Sequence, residues 1–200
     1  MSTLRRICVY CGSGPGSDPA YAEAAHRFGQ ILANNRIGLV YGGGSVGLMG
    51  ELSEAVLDHG GEAIGVIPAF LVRREHARER GQVVVTADMH ERKQRMFELA
   101  DAFVALPGGV GTLEELVEQM TWAQLGRHKK PILLVNIKKF WDPLCALLDH
   151  MTELQFIRPG LEIKYLVTER VDEILPLLSQ AVEQVAEADK AMLPNVAGRV

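Results

Sequence analysis

Residues 106–116, LPGGVGTLEEL, place three glycines directly before or beside a threonine and two glutamates. The short apolar run 101–106 predicts a buried strand that ends where the glycines begin. A strand, a glycine loop and a helix N-terminus in this order present free N–H groups and a positive dipole end to an anion, most often a phosphate. The candidate substrate-binding residues of this stretch are Gly108, Gly109, Val110, Gly111, Thr112, Leu113 and Glu114.

A helix cap is the competing interpretation of the same stretch. Thr112 and Glu115 have the spacing of a capping box, with the threonine as N-cap and the glutamate at N3. A cap explains these two residues without any ligand. It leaves the three glycines unexplained, because each of them costs backbone entropy on ordering. Glu115 is therefore either a cap or a reacting carboxylate.

A second charged motif, DMHERKQRM, occupies residues 88–96. Asp88 and Glu91 again have capping-box spacing, so a helix is expected to begin here. Arg92 and Lys93 then lie near the helix N-terminus, where the dipole disfavours cations, and an external anion would balance them. Arg92 also falls at the margin of the apolar stripe of this helix. The alternative is a charged surface turn.

The helix that follows the glycine loop predicts a contact with another subunit. Its buried stripe is expected to contain Leu113, Leu116, Val117 and Met120. Glu115 and Trp122 fall nearly opposite this stripe. A tryptophan on an outer face often marks an interface, so Trp122 favours a homodimer, although a partly exposed side chain is equally ordinary.

Short apolar runs alternate with segments of helical periodicity along the whole chain. The predicted strands are 7–10, 37–41, 63–67, 83–85, 102–106, 132–137 and 165–167, and the predicted helices are 20–34, 48–59, 89–100, 113–125, 143–154 and 172–187. This alternation predicts a doubly wound, Rossmann-like α/β fold, a mostly parallel sheet of about seven strands with helices on both faces. We expect one domain over residues 1–187 and a loose tail over 188–200.

Three glycine-rich loops, 11–17, 41–47 and 106–111, follow predicted strands and should share the carboxyl edge of the sheet. They add Ser13, Gly43 and Gly44 to the candidate ligand-binding residues. The second loop contains G-x-G-x-x-G, which raises the possibility of a dinucleotide site. Such a site needs an acid at the carboxyl end of the next strand, whereas Glu62 stands at its entrance. A mononucleotide with a single phosphate is therefore favoured.

The composition argues against several other functions. The formal net charge of -4 offers no basic field for nucleic acid. No apolar stretch approaches the roughly 20 residues of a membrane span, and the first residues lack a signal-peptide core, so a cytoplasmic protein is expected. Cys8 and Cys11 have C-x-x-C spacing but lie on and beside a strand, where they should point to opposite faces. The six histidines lack ligand spacing, so no metal site is predicted.

The sequence closely resembles the LOG family, the cytokinin riboside 5′-monophosphate phosphoribohydrolases. The likeness rests on PGGVGTLEE at 107–115 and MHERK at 89–93, and it extends to CGS at 11–13, YGGG at 41–44, GLMG at 47–50 and TWAQL at 121–125. It implies hydrolysis of the N-glycosidic bond of an adenosine 5′-monophosphate, often N6-substituted, to free base and ribose 5-phosphate, without a cofactor.

The resemblance also implies roles for individual residues. Arg92 and Glu115 match the catalytic pair of the family, and the positions that match substrate-binding residues are Glu75, Lys93, Gly108–Thr112 and Thr121. It further implies a dimer. Related sequences have carried the label lysine decarboxylase, but that chemistry needs a pyridoxal Schiff-base lysine, and no lysine here stands out for it. The alternative function is a non-catalytic nucleotide-binding or carrier module.

Overall fold

The computed structural model describes residues 4–72 and 80–192. Within these ranges the chain forms a parallel sheet of seven strands in the order β4-β3-β2-β1-β5-β6-β7. The strands are β1 (Arg6–Tyr10), β2 (Gly38–Tyr41), β3 (Ala63–Pro68), β4 (Gln82–Thr86), β5 (Ala102–Ala105), β6 (Ile132–Val135) and β7 (Leu166–Thr168). The prediction of a doubly wound α/β fold with seven strands is confirmed.

Six helices cover the two faces of the sheet. They are α1 (Pro19–Asn34), α2 (Gly47–Asp58), α3 (Met89–Leu99), α4 (Val110–Gln124), α5 (Asp142–Glu153) and α6 (Ile174–Met192). Residues of α1, α2 and α6 bury one side of the sheet, and residues of α3 and α4 bury the other. Cys8 belongs to the second core and Cys11 to the first, so the two buried thiols lie on opposite faces, as predicted.

The strand order reverses at β1, which lies between β2 and β5. The loops that follow β1 and β5 therefore flank the switch point of the sheet, where open α/β sheets bind ligands. These are two of the three glycine-rich loops. The architecture thus brings the glycine-rich stretches of the sequence to the edge where a ligand is expected.

Two helix boundaries differ from the sequence prediction by three residues or more. Helix α4 begins at Val110, three residues before the predicted start. Helix α6 continues to Met192, so the first part of the predicted tail 188–200 is helical, and its remainder lies outside the described residues. None of the helices in the described ranges is long and apolar enough to cross a membrane.

Candidate active site

The three glycine loops meet at the carboxyl edge of the sheet, as predicted. The backbone N–H of Gly12 donates to the carbonyl oxygen of Pro107 at 3.0 Å, and that of Leu48 donates to the carbonyl oxygen of Gly12 at 3.1 Å. A Cβ atom on Gly12 would lie only 3.4 Å from the Cα of Gly108. The first loop is therefore packed between the other two, and its glycines permit that approach.

The N-terminus of α4 is open, whereas that of the neighbouring α3 is capped. At α3, the Asp88 carboxylate accepts a hydrogen bond from the Glu91 N–H at 2.8 Å, and the Glu91 carboxylate accepts one from the Ala87 N–H at 2.7 Å. The N-cap of α4 is Gly109, and no described side chain caps it. Val110 is 83% exposed. The first N–H groups of α4 are therefore accessible to an anion.

The capping-box interpretation of Thr112 and Glu115 is wrong. Because α4 starts at Val110, Thr112 lies at the third helical position with its side chain against Gly108, and Glu115 lies a turn further along. Gly109 is the N-cap residue of α4, and its extended backbone connects the turn at Pro107 and Gly108 to the helix. Glu115 is thus too far inside the helix to cap it, so its presence needs another explanation.

Arg92 and Glu115 form a buried ion pair between α3 and α4. Nη1 of Arg92 donates a short hydrogen bond to Oε1 of Glu115, and Nε donates to the carbonyl oxygen of Val66 at 3.0 Å. Only 9% of the arginine side chain and 11% of the glutamate side chain are exposed. The guanidinium is held on two sides, and a Cβ on Gly42 would lie 2.6 Å from its Nη2.

The environment of Glu115 acts on its charge in two directions. Burial raises the pKa of the Glu115 carboxyl, while the charge and the hydrogen bond of Arg92 act to lower it, and the net direction is upward. A carboxylate in this position depends on its arginine partner to stay ionised. Two opposite charges removed from water are therefore kept together at the edge of the glycine loops.

The burial pattern of α4 differs from the predicted stripe. The buried residues of α4 are Thr112, Glu115, Leu116, Gln119 and Met120. Leu116 and Met120 were predicted correctly, but Leu113 and Val117 are 37% and 40% exposed. The prediction failed because it assigned the inner face to the apolar residues, whereas α4 turns polar residues inward to meet Arg92 on α3.

Lys93 is held by two carboxylates of α4. Its Nζ lies 2.6 Å from Oε1 of Glu114 and 2.9 Å from Oε1 of Glu118. Partial burial acts to lower the pKa of Lys93, but hydrogen bonds to these two glutamates raise it overall. The cations near the α3 N-terminus are thus balanced by α4 rather than by an external anion. Glu118 was missed, although its position four residues after Glu114 could have indicated it.

The remaining candidates fall into three groups. Gly43 and Gly44 are buried in the second loop, with Gly43 at a positive φ of 80°, and Ser13 is exposed in the first. Thr121 is exposed, and its hydroxyl donates to the carbonyl oxygen of Val117 at 2.8 Å. Glu75 lies outside the described residues.

Trp122 is half-buried and makes contacts within its own chain. Its ring makes an edge-on contact with Phe97, with centroids 5.2 Å apart, and the guanidinium of Arg127 lies 4.1 Å from the ring centroid. The contact of Trp122 with another subunit stays a prediction.

The fold and the site define a doubly wound α/β protein in which three glycine-rich loops lie at the carboxyl edge of the sheet, beside a buried arginine–glutamate pair. The family described as "Possible lysine decarboxylase" matches residues 49–178. Cytokinin riboside 5′-monophosphate phosphoribohydrolase LOG7 of Arabidopsis thaliana is 52% identical over 159 residues, which cover 79% of this chain and 73% of that protein. A probable enzyme of the same name, LOGL6 of Oryza sativa subsp. japonica, is 42% identical and covers 98% of this chain and 84% of its own.

The chain belongs to the LOG family. Among solved structures, the molybdenum cofactor binding protein from Rippkaea orientalis superposes with a TM-score of 0.66 over 91% of this chain and 99% of that chain. Its sequence is 20% identical, so this likeness concerns the fold alone.

Proposed function

We propose that this protein is a phosphoribohydrolase that cleaves the N-glycosidic bond of adenosine 5′-monophosphate and of its N6-substituted derivatives. The products are the free base and ribose 5-phosphate. The observation that carries the proposal is the buried Arg92–Glu115 pair at the edge of three glycine loops. The relatives named as cytokinin riboside 5′-monophosphate phosphoribohydrolases support the same reaction.

Glu115 supplies the carboxylate that glycosidic cleavage needs. The transition state resembles an oxocarbenium ion, so a fixed negative charge near the ribose stabilises the positive charge that develops there. The same carboxylate orients the ribose hydroxyls and positions the attacking water. Its partial withdrawal from solvent strengthens this electrostatic contribution, because a charge acts more strongly where water is excluded.

The phosphate is assigned to the open N-terminus of α4. Gly109, Val110 and Gly111 are exposed there, and the helix dipole favours a dianion at this end. Arg92 fixes Glu115 through Nη1, and its Nη2 lies on the side of Gly42, facing the second loop. Arg92 thereby both holds the carboxylate ionised and presents positive charge to the phosphate or to the departing base.

We further propose a homodimer formed through the outer face of α4. Val110, Leu113, Val117 and Leu125 are exposed at spacings of three, four and eight residues, and Thr121 lies on the same face. Such a stripe is typical of a helix that packs against another helix. The stripe begins at the glycine loop, so a second copy of the chain would lie beside the proposed phosphate site and bring its own Thr121 into the interface.

The experiment that tests the reaction incubates the protein with AMP and with N6-isopentenyl-AMP and separates the products by chromatography. We expect free base and ribose 5-phosphate in equal amounts from at least one of the two nucleotides. Saturable binding of both nucleotides without release of base would contradict the proposal and favour a binding or carrier module. Release of adenine from AMP would specifically support the AMP nucleosidase activity.

A further inference from the structure

A cavity of about 460 Å³ lies at the amino edge of the sheet, opposite the glycine loops. Asp101 and Pro131, which line it, directly precede β5 and β6, and the last turns of α6 close its far wall. The volume falls within the range of small-molecule sites, roughly 300–1,000 Å³. Neither the fold nor the proposed reaction uses this cavity.

Two cations of this cavity lack a carboxylate partner. Lys130 donates from Nζ to the carbonyl oxygen of Phe97 at 2.6 Å, and Arg127 donates from Nη2 to the amide oxygen of Gln94 at 3.1 Å. Lys130 lies 3.9 Å from the ring centroid of Phe97, so both cations stack on aromatic rings. Neither forms a salt bridge with a carboxylate of the described residues. Their charges are oriented without a carboxylate at salt-bridge distance, and Asp101 and Glu98 attract the Lys130 ammonium only from further away.

Both acids that line the cavity already have partners, and the partner of Asp189 is Lys129, a third cation of the same lining. Oδ2 of Asp101 accepts hydrogen bonds from the backbone N–H groups of Arg5 and Arg6 at 2.8 and 2.9 Å. Asp189 is paired with Lys129 at 2.5 Å. Burial lowers the pKa of the Lys130 ammonium, with Asp101 opposing that shift. An anion placed between Arg127 and Lys130 would relieve the cost of holding this half-buried cation.

We propose that the cavity is a second ligand site, which binds a small phosphate monoester that carries an apolar group. Arg127 and Lys130 would hold the phosphate, because two cations match a dianion and arginine recognises phosphate in a bidentate manner. Phe97, Pro131 and Val182 would contact the apolar group. The site is independent of the proposed reaction, since it shares no residue with the glycine edge.

The first test needs no variant. The wild-type protein is treated with acetic anhydride with and without phenyl phosphate, and acetylation of each lysine is followed by mass spectrometry. At a ligand concentration of about ten times Kd, we expect acetylation of Lys130 to slow about tenfold while that of the exposed Lys164 is unchanged. Equal rates at Lys130 with and without phenyl phosphate would overturn the proposal.

The second test counts phosphate sites by calorimetry. We expect the double variant Arg127→Gln/Lys130→Gln to bind one fewer phenyl phosphate than the wild type, while Lys164→Gln keeps the full number. The melting temperature of each variant checks that it is folded. An unchanged number of sites in the double variant would contradict the assignment. Inorganic phosphate that protected Lys130 as strongly as phenyl phosphate would contradict the role of the apolar wall.

Discussion

Arg92 on α3 and Glu115 on α4 form an ion pair in which both side chains are about nine-tenths buried, and the same guanidinium is anchored to the carbonyl oxygen of Val66 on β3. The pair therefore ties two helices and the sheet together at the glycine edge. Such a pair is costly to break from one side, because the remaining charge stays buried without a partner.

Removal of the arginine should expose this cost. We expect Arg92→Gln to lower the free energy of unfolding by about 3–5 kcal/mol, because Glu115 is left as an unpaired buried carboxylate. The double variant Arg92→Gln/Glu115→Gln should recover part of the loss, since two neutral amides replace two charges. Urea unfolding of the four proteins measures the coupling, and strictly additive losses would show that the pair contributes nothing as a unit.

The pH dependence of activity should report Glu115. Burial raises its pKa, so the carboxylate loses its charge at a higher pH than an ordinary glutamate, whose pKa is about 4.3. We expect the acid limb of kcat/KM to have its midpoint above that value, with activity lost as the pH falls through it. A midpoint at or below the ordinary glutamate value would disagree with this assignment.

The raised pKa of Glu115 should affect stability in the direction opposite to activity: activity falls as the pH falls, whereas stability falls as the pH rises. The folded state holds the Glu115 proton more firmly than the unfolded state, so this group favours folding below its unfolded pKa. That contribution is lost as the pH rises through the folded pKa. The free energy of unfolding of the wild type, compared with that of Glu115→Gln, should therefore decrease from acid toward neutral pH. Urea unfolding of both proteins at several pH values measures this difference.

The absence of a side chain at Gly42 should be required for activity, because the guanidinium of Arg92 lies beside this residue. A Cβ at this position would lie 2.6 Å from Nη2 of Arg92 and 2.9 Å from Sδ of Met49. We expect Gly42→Ala to displace the anchored guanidinium and lower kcat by at least about tenfold, since misplacement by about 1 Å costs up to 10²-fold. Steady-state kinetics provide the measurement, and full activity in this variant would show that the position of Nη2 is unimportant.

The proposed dimer makes a prediction about the exposed face of α4. Val117→Lys places a charge in the middle of the apolar stripe, so light scattering should show a monomer where the wild type shows a dimer. Leu147→Glu on α5, an equally exposed leucine on another helix, is the matched control and should remain dimeric. A monomeric wild type at micromolar concentration would contradict the proposed assembly.

Much of the fold could be predicted because parallel strands buried on both faces are continuous apolar runs. The five inner strands were located in this way, the partly exposed edge strands β4 and β7 were located from their apolar residues, and β5, ending at Ala105, led to the glycine loop as expected. The start of α4 was misplaced because Val110 and Gly111 have no sequence signal for helix. Val110 and Gly111 are helical because the chain turns into the helix at Gly109. The sequence alone does not distinguish this short turn from a longer loop.

The two residues of the buried ion pair were singled out from the sequence, but their pairing was not. Arg92 and Glu115 were both identified, yet Glu115 was placed on the outer face, because a helical wheel assigns polar residues to solvent. Glu115 is buried because α3 lies beside α4 and supplies the guanidinium of Arg92, which is 23 residues away in the chain. The pairing of Lys93 with Glu114 and Glu118 has the same tertiary origin.

We propose that Glu115 acts in catalysis, and the substitution Glu115→Gln separates this role from a structural one. The substitution keeps the shape and a hydrogen-bond acceptor for Arg92 but removes the negative charge. Release of base from AMP and N6-isopentenyl-AMP is measured for the wild type, for this variant, and for Glu98→Gln, which neutralises an exposed glutamate of α3. We expect Glu115→Gln to lower kcat by about 10²–10³-fold, as for loss of a preorganised electrostatic contact, and Glu98→Gln to match the wild type. A folded Glu115→Gln enzyme with a turnover equal to that of Glu98→Gln would contradict a catalytic role for Glu115.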